Sequence, residues 1–462
     1  MNSRDPTIHQ LISDTQATLR LDDTPTATFR VGPVEASPCT WACPAGVNVK
    51  TYVSLIAAGR FSEALEVVRR NNPLPAICGR ICTHPCEEAC NRTQIDDPVA
   101  ICALKRFLTD YEMAHPPDRP QPAPRTKKES VAVVGSGPGG LTAAHDLIRM
   151  GYGVTIFEAL PMAGGMLAAG VPNFRLSRDV LELEIDMIRA LGVEIQTGVR
   201  ITGDRATVGL FEEGYQAIFF AVGAHKARKL GYPGEDAAGI VDCIAFLRDV
   251  NLGNPQKPGD KTVVIGGGHS ALDSAQTALR LGAKEVTIIY RRSRKEMPAT
   301  PSDVRGAESE GIQIHFLVAP NKLLVKDGRI TGIECIRTKL GATDESGRRR
   351  PHPVEGSEFI VKADTIITAI GEEPDLSFLP ANHGLDISQR WNTFIVDEAI
   401  LATSRPGIFA GGDVVTGPKS VVDAIAAGHV AARSIDRYLH RKPLARELLW
   451  KPPTEVEIKV DL

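Results

Sequence analysis

An α/β architecture is predicted for this 462-residue chain: two parallel, doubly wound dinucleotide-binding units behind a helical, cysteine-rich segment. Three observations predict it. The order strand, glycine loop, helix, strand occurs twice, from VAVV (131–134) to VTIFE and from TVVI (262–265) to VTIIY. Each repeat has the length of a βαβ unit, about 30 residues. Seven of the nine cysteines fall between Cys39 and Cys102, on a stretch whose apolar residues recur at helical spacing.

Composition narrows the field. Charged residues are 24% and apolar residues 43% of the chain, ordinary globular values. A net charge of −3 gives no reason to expect nucleic acid or an anionic membrane as partner. No apolar run approaches the roughly 18–20 residues of a spanning helix, and the first twenty residues lack the apolar core of a secretory signal. A cytoplasmic protein is expected. In a reducing compartment a cysteine cluster points to metal rather than to disulfides.

Residues 1–38 mix Thr, Asp, Arg and Pro without periodicity and read as an irregular extension. The segment 39–114 reads as helical. VKTYVSLIAAGRFSEALEVVRRNNP divides at Gly59 into two short helices, and VAICALKRFLTDYE (99–112) forms another. Residues 115–128, rich in Pro and Lys, read as a stiff exposed linker. The tandem units then divide into 129–250, 251–370 and 371–445, followed by a tail, 446–462. In that tail WKPPTEVEIKVDL alternates apolar and polar residues, the pattern of an edge strand added to a partner sheet; a disordered tail is the competing reading.

Gly135, Gly137 and Gly140 form G-x-G-x-x-G where strand meets helix, with Gly139 inside the loop. The first glycine permits the tight turn, the second lets backbone approach a pyrophosphate, and the third lets helix and strand pack closely. Glu158 ends the next strand at the distance expected of an acid that binds adenosine ribose. The second loop, Gly266, Gly267, Gly268, His269, Ser270 and Ala271, is G-x-G-x-x-A. Its acid position is empty and reads Tyr290-Arg291-Arg292-Ser293-Arg294. Arginines there suit a 2′-phosphate, so NADP(H) is favoured over NAD(H), with a solvated basic strand end as the alternative. His269 reads as a local cap rather than a base.

The cysteines run Cys39-x3-Cys43-Pro44, Cys78-x3-Cys82-x3-Cys86-x3-Cys90, then Cys102. Thiolates from turns and helix ends, with a C-x3-C-P run, suit iron–sulfur clusters. Zinc is the rival, although structural zinc sites favour paired cysteines in ribbon or ββα settings. Cys243 and Cys335 read as structural.

Beyond the first loop, MAGGM (162–166), AVGA (221–224) and FAGGD (409–413) resemble the two-dinucleotide-binding flavoprotein superfamily, whose FAD domain is split by an inserted NAD(P)H domain. That resemblance assigns 129–250 and 371–445 to FAD and 251–370 to NAD(P)H. It adds Gly165, Met166, Gly223, Gly412 and Asp413 to the FAD site, with Asp413 on the ribityl chain. With CPAGVNVKTYVSLIAAGRFSEALEVV, LPAICGRICTHPCEEAC, PVAICALKRF and YRRSRKEMPA, the chain resembles the small subunit of glutamate synthase, the N-terminal half of dihydropyrimidine dehydrogenase and the large subunit of NADH-dependent ferredoxin:NADP oxidoreductase. The resemblance implies one [4Fe-4S] cluster on Cys43, Cys82 and Cys86. Its fourth ligand is Glu or Gln in relatives, at the position of Lys105 here. Cys102 lies one helical turn earlier and is the expected replacement. A buried apolar role is its alternative. A second cluster would take Cys39 and Cys90 plus an upstream C-x-x-C pair that this chain lacks; Cys78 is the candidate substitute, and the second cluster stays open.

Hydride transfer between nicotinamide and flavin needs aligned rings rather than a protein acid, so no catalytic residue is expected. Disulfide reduction is not expected, because no redox C-x-x-C or C-x4-C pair is present. The leading reading is a flavin and iron–sulfur electron-transfer subunit. Its partner would be a glutamate synthase large subunit, a 2-oxoacid or formate dehydrogenase, or a pyrimidine-reducing subunit. A free-standing NAD(P)H:acceptor reductase and a non-catalytic nucleotide-binding redox sensor are the alternatives.

Overall fold

A computed structural model describes residues 26–31, 37–116, 120–344, 347–444 and 456–461. Two five-stranded sheets dominate it, and every pairing in both is parallel. The first runs Ile408–Ala410, Ala217–Phe220, Ser130–Val134, Gly153–Glu158, Glu194–Thr197. The second runs Gln313–Phe316, Glu285–Tyr290, Lys261–Ile265, Thr365–Thr368, Ile240–Asp242. Strands covered on both faces must be apolar throughout, and Ala217–Phe220 and Thr365–Thr368 are buried at every position. Each glycine-loop strand is the central one of its sheet, where strand order reverses and a crevice opens.

The second sheet interrupts the first. The chain leaves after Phe220 and returns at Ile408, which pairs with Ile218. Outgoing Lys226–Ala227 and returning Glu372–Glu373 form a short antiparallel ribbon. Ile240–Asp242 belongs to the second sheet, so that layer draws on residues earlier than the expected boundary at 251. Sequence periodicity missed it because the strand has only three residues. An antiparallel sheet, Val318–Lys326, Arg329–Thr343, Arg349–Pro353 and Phe359–Lys362, extends the inserted part.

The cysteine-rich segment forms helices Pro38–Ala42, Val49–Ala57, Phe61–Arg69, Pro75–Ile81, Pro85–Glu88 and Ile101–Ala114. Gly59, at φ +73°, makes the turn between the second and third. These helices share a hydrophobic core with the first sheet: Tyr52, Ile77 and Leu108 belong to the same buried cluster as Val133, Leu141 and Ile435. Polar pins cross the same seam. His429 bridges Asp146 (Nδ1, 2.6 Å) and the Asn71 carbonyl (Nε2, 3.0 Å). Helix Pro75–Ile81 has no side-chain cap of its own, and its first amides, Ala76 and Ile77, donate to Glu184 Oε2 at 3.0 and 3.3 Å. The linker lies against the first sheet's layer, with Ala123 donating to Leu191 and Thr126 to Gly151.

A separate unit holds Met1–Ser37 and Trp450–Leu462. Within it Thr26–Val31 pairs antiparallel with Val456–Asp461, from Thr26 opposite Asp461 to Val31 opposite Val456. The extension is therefore not wholly irregular, and the tail strand pairs with it within the chain. Among the described residues, no helix is long and apolar enough to cross a membrane.

Burial pushes the Glu184 carboxyl up to about 8, against the opposing pull of Arg69 and the two helix amides. The folded state then keeps a proton that the unfolded state has lost, so stability falls as pH rises from about 4.5 to 8. Glu184→Gln should flatten that part of the thermal-midpoint profile of the cofactor-free protein. An unchanged slope across this window would refute the assignment.

Candidate functional site

The first glycine loop is shaped by what surrounds it. A Cβ on Gly135 (φ +107°) would stand 2.5 Å from the Ala221 carbonyl oxygen, and one on Gly140 would stand 2.0 Å from that of Gly135. Gly137 has nothing within 4 Å, and it precedes helix Pro138–Arg149 without a side-chain cap, leaving open space beside free amides. Gly139 is buried in the first turn. Glu158 is buried at the strand end; its Oε2 accepts from the Ser136 amide at 3.0 Å and from the Ser136 hydroxyl, and its Oε1 from Leu160 N at 2.8 Å. The ribose acid of the sequence reading therefore also braces the loop. Gly165 comes so close to Gly137 that a Cβ would lie 3.0 Å from its Cα. Met166 opens the short helix that follows.

Asp413 starts helix Asp413–Thr416 after Gly412 (φ +76°) and accepts from Lys419 N at 3.1 Å. Burial raises its carboxyl to about 7, the Lys419 amide opposing. The long helix Val421–Leu439 then crosses the first glycine helix with no side chain between them: a Cβ on Gly428 would lie 2.5 Å from Gly139 O and 2.7 Å from Thr142 Cβ.

In the second loop Gly266 (φ +153°) presses on the Ala369 carbonyl, Gly267 on the Tyr290 ring, and Gly268 faces open space. His269 does not cap its helix. Gly268 occupies that position, and His269 Nε2 instead lies 3.1 Å from Asp303 Oδ2, holding that carboxyl down at about 2. Ser270 donates to Glu372 Oε1 at 3.2 Å, and Ala271 is fully buried. Asp273, raised to about 6 by burial, is gripped by Arg175 at 2.9 and 3.0 Å, tying the two layers together.

The basic run divides. Arg291 is exposed. Arg292 is buried and donates to Asp344 Oδ2 at 2.6 Å and to the Arg349 carbonyl at 2.8 Å, so its charge is taken up internally. Its expected pairing with a phosphate is corrected to a bracing role. Arg294 pairs with Glu308. Partial burial, with Arg292 and Arg348 nearby, lowers the Arg291 pKa, which marks crowded positive charge. Arg348 was missed in the sequence because it arrives from the antiparallel sheet, 57 residues downstream of Arg291.

One cleft of about 440 Å³ unites these parts. Gly135–Gly139, Glu158, Gly165, Met166, Gly223, Gly412 and Asp413 line it from one side and His269, Ser270, Asp273 and Glu372 from the other. Ile81 and Thr83 line it too. They flank Cys82.

Cys43, Cys82, Cys86 and Cys102 are all buried, as is Cys78; Cys39 and Cys90 are half-buried. No disulfide joins any two of the nine cysteines. Cys82 follows the last residue of helix Pro75–Ile81, Cys86 sits in the next short helix, and Cys102 in the first turn of Ile101–Ala114. Mutual electrostatic influence links Cys43 with Cys82 and Cys86, and Cys82 with Cys102. Burial raises Cys86 and Cys102 to about 12, with Lys105 opposing. Cys102 Sγ donates to the Cys78 carbonyl at 3.2 Å. Among the described residues no three Cys, His, Asp or Glu groups stand close enough for one metal ion, as zinc would require. Four buried thiols that influence one another supply the thiolate donor set that a cubane takes, each on a different iron. Cys78, one turn before Cys82, is buried and acted on by it, while Cys39 and Cys90 of the candidate second trio are half-buried. Cys243 and Cys335 lie on separate elements, a helix and the antiparallel sheet.

The family profile for pyridine nucleotide-disulphide oxidoreductases matches residues 129–428, and that for dihydropyrimidine dehydrogenase domain II, 4Fe-4S cluster, matches 17–116. The NADP(+)-dependent formate dehydrogenase subunit beta of Moorella thermoacetica is 45% identical over 441 residues, 90% of this chain; the chain spans 62% of that relative's length. The small chain of glutamate synthase [NADPH] from Halomonas elongata is 36% identical over 87% of this chain and 88% of its own. Among solved structures, Mycobacterium tuberculosis FprA in complex with NADPH superposes with a TM-score of 0.58 at 20% identity, over 68% of this chain and 85% of its own, a likeness of fold.

Gly428→Val should force the two crossing helices apart and cost about 1–3 kcal/mol, read as a lower denaturant midpoint. A variant as stable as the parent would show that the helices can part without loss.

Proposed function

Because the chain belongs to the pyridine nucleotide-disulphide oxidoreductase family, we propose that it carries electrons between NADP(H), FAD and one [4Fe-4S] cluster on behalf of a partner subunit. The observation that supports this reading is the shared cleft. Both glycine loops and the residues flanking Cys82 open onto it. FAD and the nicotinamide supply two-electron hydride chemistry when bound, and the cluster supplies one-electron transfer.

The chain's own residues bind, orient and shield. Gly135, Gly137 and Gly140 admit a pyrophosphate at a helix N-terminus, Glu158 faces the adenosine ribose, and Asp413 the ribityl chain. Gly266, Gly268 and Ala271 do the same for the second nucleotide. Arg291, joined by Arg348, receives the 2′-phosphate while Arg292 holds the strand end in place. Glu372 and Ser270 stand where the two nucleotide sites meet and fix the approach of one ring to the other. Cys43, Cys82, Cys86 and Cys102 ligate the cluster.

The relatives named above are a formate dehydrogenase subunit and a glutamate synthase subunit, both with NADP in their names. A dehydrogenase or synthase subunit that performs the substrate chemistry is the proposed partner here, and co-purification from the native source identifies it. Anaerobic NADPH should bleach the flavin absorbance and raise the electron paramagnetic resonance signal of a reduced cluster. Bleaching without that signal would sink the relay.

Arg291→Ala should raise KM for NADPH about tenfold or more, the loss of one charge-assisted contact of about 1.5–3 kcal/mol, and leave KM for NADH unchanged. Equal losses for both would defeat the 2′-phosphate assignment. Cys102→Ser should lower bound iron and acid-labile sulfide, whereas Cys335→Ser should not. Full iron content in the Cys102 variant would return the fourth ligand to another residue.

A further inference from the structure

Lys105 is the most deeply buried lysine of the helical domain, 5% exposed, on helix Ile101–Ala114 one turn after Cys102. The groups that influence it electrostatically are Cys78, Tyr52, Cys82 and Cys43, and it acts in turn on Cys86 and Cys102. No carboxylate is among these leading influences. The neighbouring acids are engaged elsewhere: Glu112 with Arg69, Asp110 with Arg80, Glu87 with the Cys102 amide, and Glu184, which also acts on Cys78, with the Ala76 and Ile77 amides. The Tyr52 hydroxyl donates to the Ile101 carbonyl, so it offers no negative charge. A Cβ on Gly79 would lie 2.9 Å from Arg106 Cα, so helix Pro75–Ile81 rests directly on the helix that carries Lys105. Nearby, the buried Asn72 Nδ2 has no oxygen acceptor and adjoins the Cys78 thiol.

A buried ammonium without a counter-charge is costly, and an amide donor with no oxygen acceptor adds to the cost. Both costs vanish if the thiol patch holds an anion. A cluster bound by four thiolates is anionic, and one-electron reduction makes it more so. The cation is thus stabilised more by the reduced than by the oxidised state, and the reverse holds by reciprocity.

We propose that Lys105 is a fixed buried cation, not an iron ligand, that raises the reduction potential of the cluster held by Cys43, Cys82, Cys86 and Cys102. The inference rests on the iron–sulfur assignment, and its test separates the two. Iron and acid-labile sulfide are measured first on anaerobically reconstituted full-length protein. A wild-type chain that holds neither overturns the cluster and, with it, the role of Lys105. With the cluster present, the midpoint is read by potentiometric titration followed by electron paramagnetic resonance. Lys105→Met and Lys105→Leu should shift the reduced-to-oxidised ratio at least tenfold toward the oxidised form, a fall of about 59 mV or more for a one-electron couple. Lys105→Arg should restore the wild-type midpoint, and the flavin midpoint in the same titration should stay put. Neutral variants with an unchanged cluster midpoint overturn the proposal. If neutral variants fail to hold the cluster, wild-type protein labelled with ε-15N-lysine decides. A weak 15N coupling in the reduced cluster's pulsed spectrum supports a neighbouring ammonium. No coupling, or the strong coupling of a direct iron–nitrogen bond, overturns it.

Discussion

The docking of helix Pro75–Ile81 onto the first parallel sheet is the constraint on which the rest depends. Electron exchange between two buried centres requires that their separation not drift, and here a helix ending at a cysteine is fastened by both of its ends. Glu184, from the sheet's own helical layer, receives the amides at its start. At its finish Ile81 and Thr83 enter the nucleotide cleft. A continuous apolar core fills the seam behind it, so the cysteine-rich helices and the flavin sheet behave as one body rather than as domains on a flexible tether.

The inserted sheet is attached differently. It grows from the first through the Lys226–Ala227 and Glu372–Glu373 ribbon, two residue pairs wide, supplemented by Arg175 on Asp273 and Asn251 on the Ala169 carbonyl. Met166 adds an apolar contact by packing on the second sheet's core. Glu372 is part of that ribbon and also accepts from Ser270 in the second glycine loop, so on the proposed assignment the connection between the sheets and the meeting point of the nucleotides coincide. A change in one is therefore felt in the other.

Much of this was legible in the chain itself. Glycines at 135 and 140, and again at 266, announce their loops because no other residue tolerates the φ or the closeness their surroundings demand, while those at 137 and 268 leave open space beside a helix start. Apolar runs such as AIFF announce strands covered on both faces. What stayed hidden depends on distant partners. Nothing local distinguishes Arg291 from Arg292, and only Asp344, far along the chain, makes one structural and leaves the other exposed. Glu184 looks like any acid on an amphipathic helix until helix Pro75–Ile81 is placed against it. His269 sits where a cap would be, yet Asp303 draws it away. The pairing of Thr26–Val31 with Val456–Asp461 joins segments more than four hundred residues apart, beyond the reach of any periodicity.

The division of labour among the arginines has an evolutionary side. Asp344 and Arg348, which shape the charge around Arg291, come from a hairpin of the antiparallel sheet whose turn is closed by the Asp344 amide on the Arg348 carbonyl. That hairpin lies outside the parallel βαβ framework. On the proposed assignment, coenzyme preference is written partly in a peripheral loop, whose length and charge can vary between lineages while the nucleotide-binding scaffold beneath it stays unaltered.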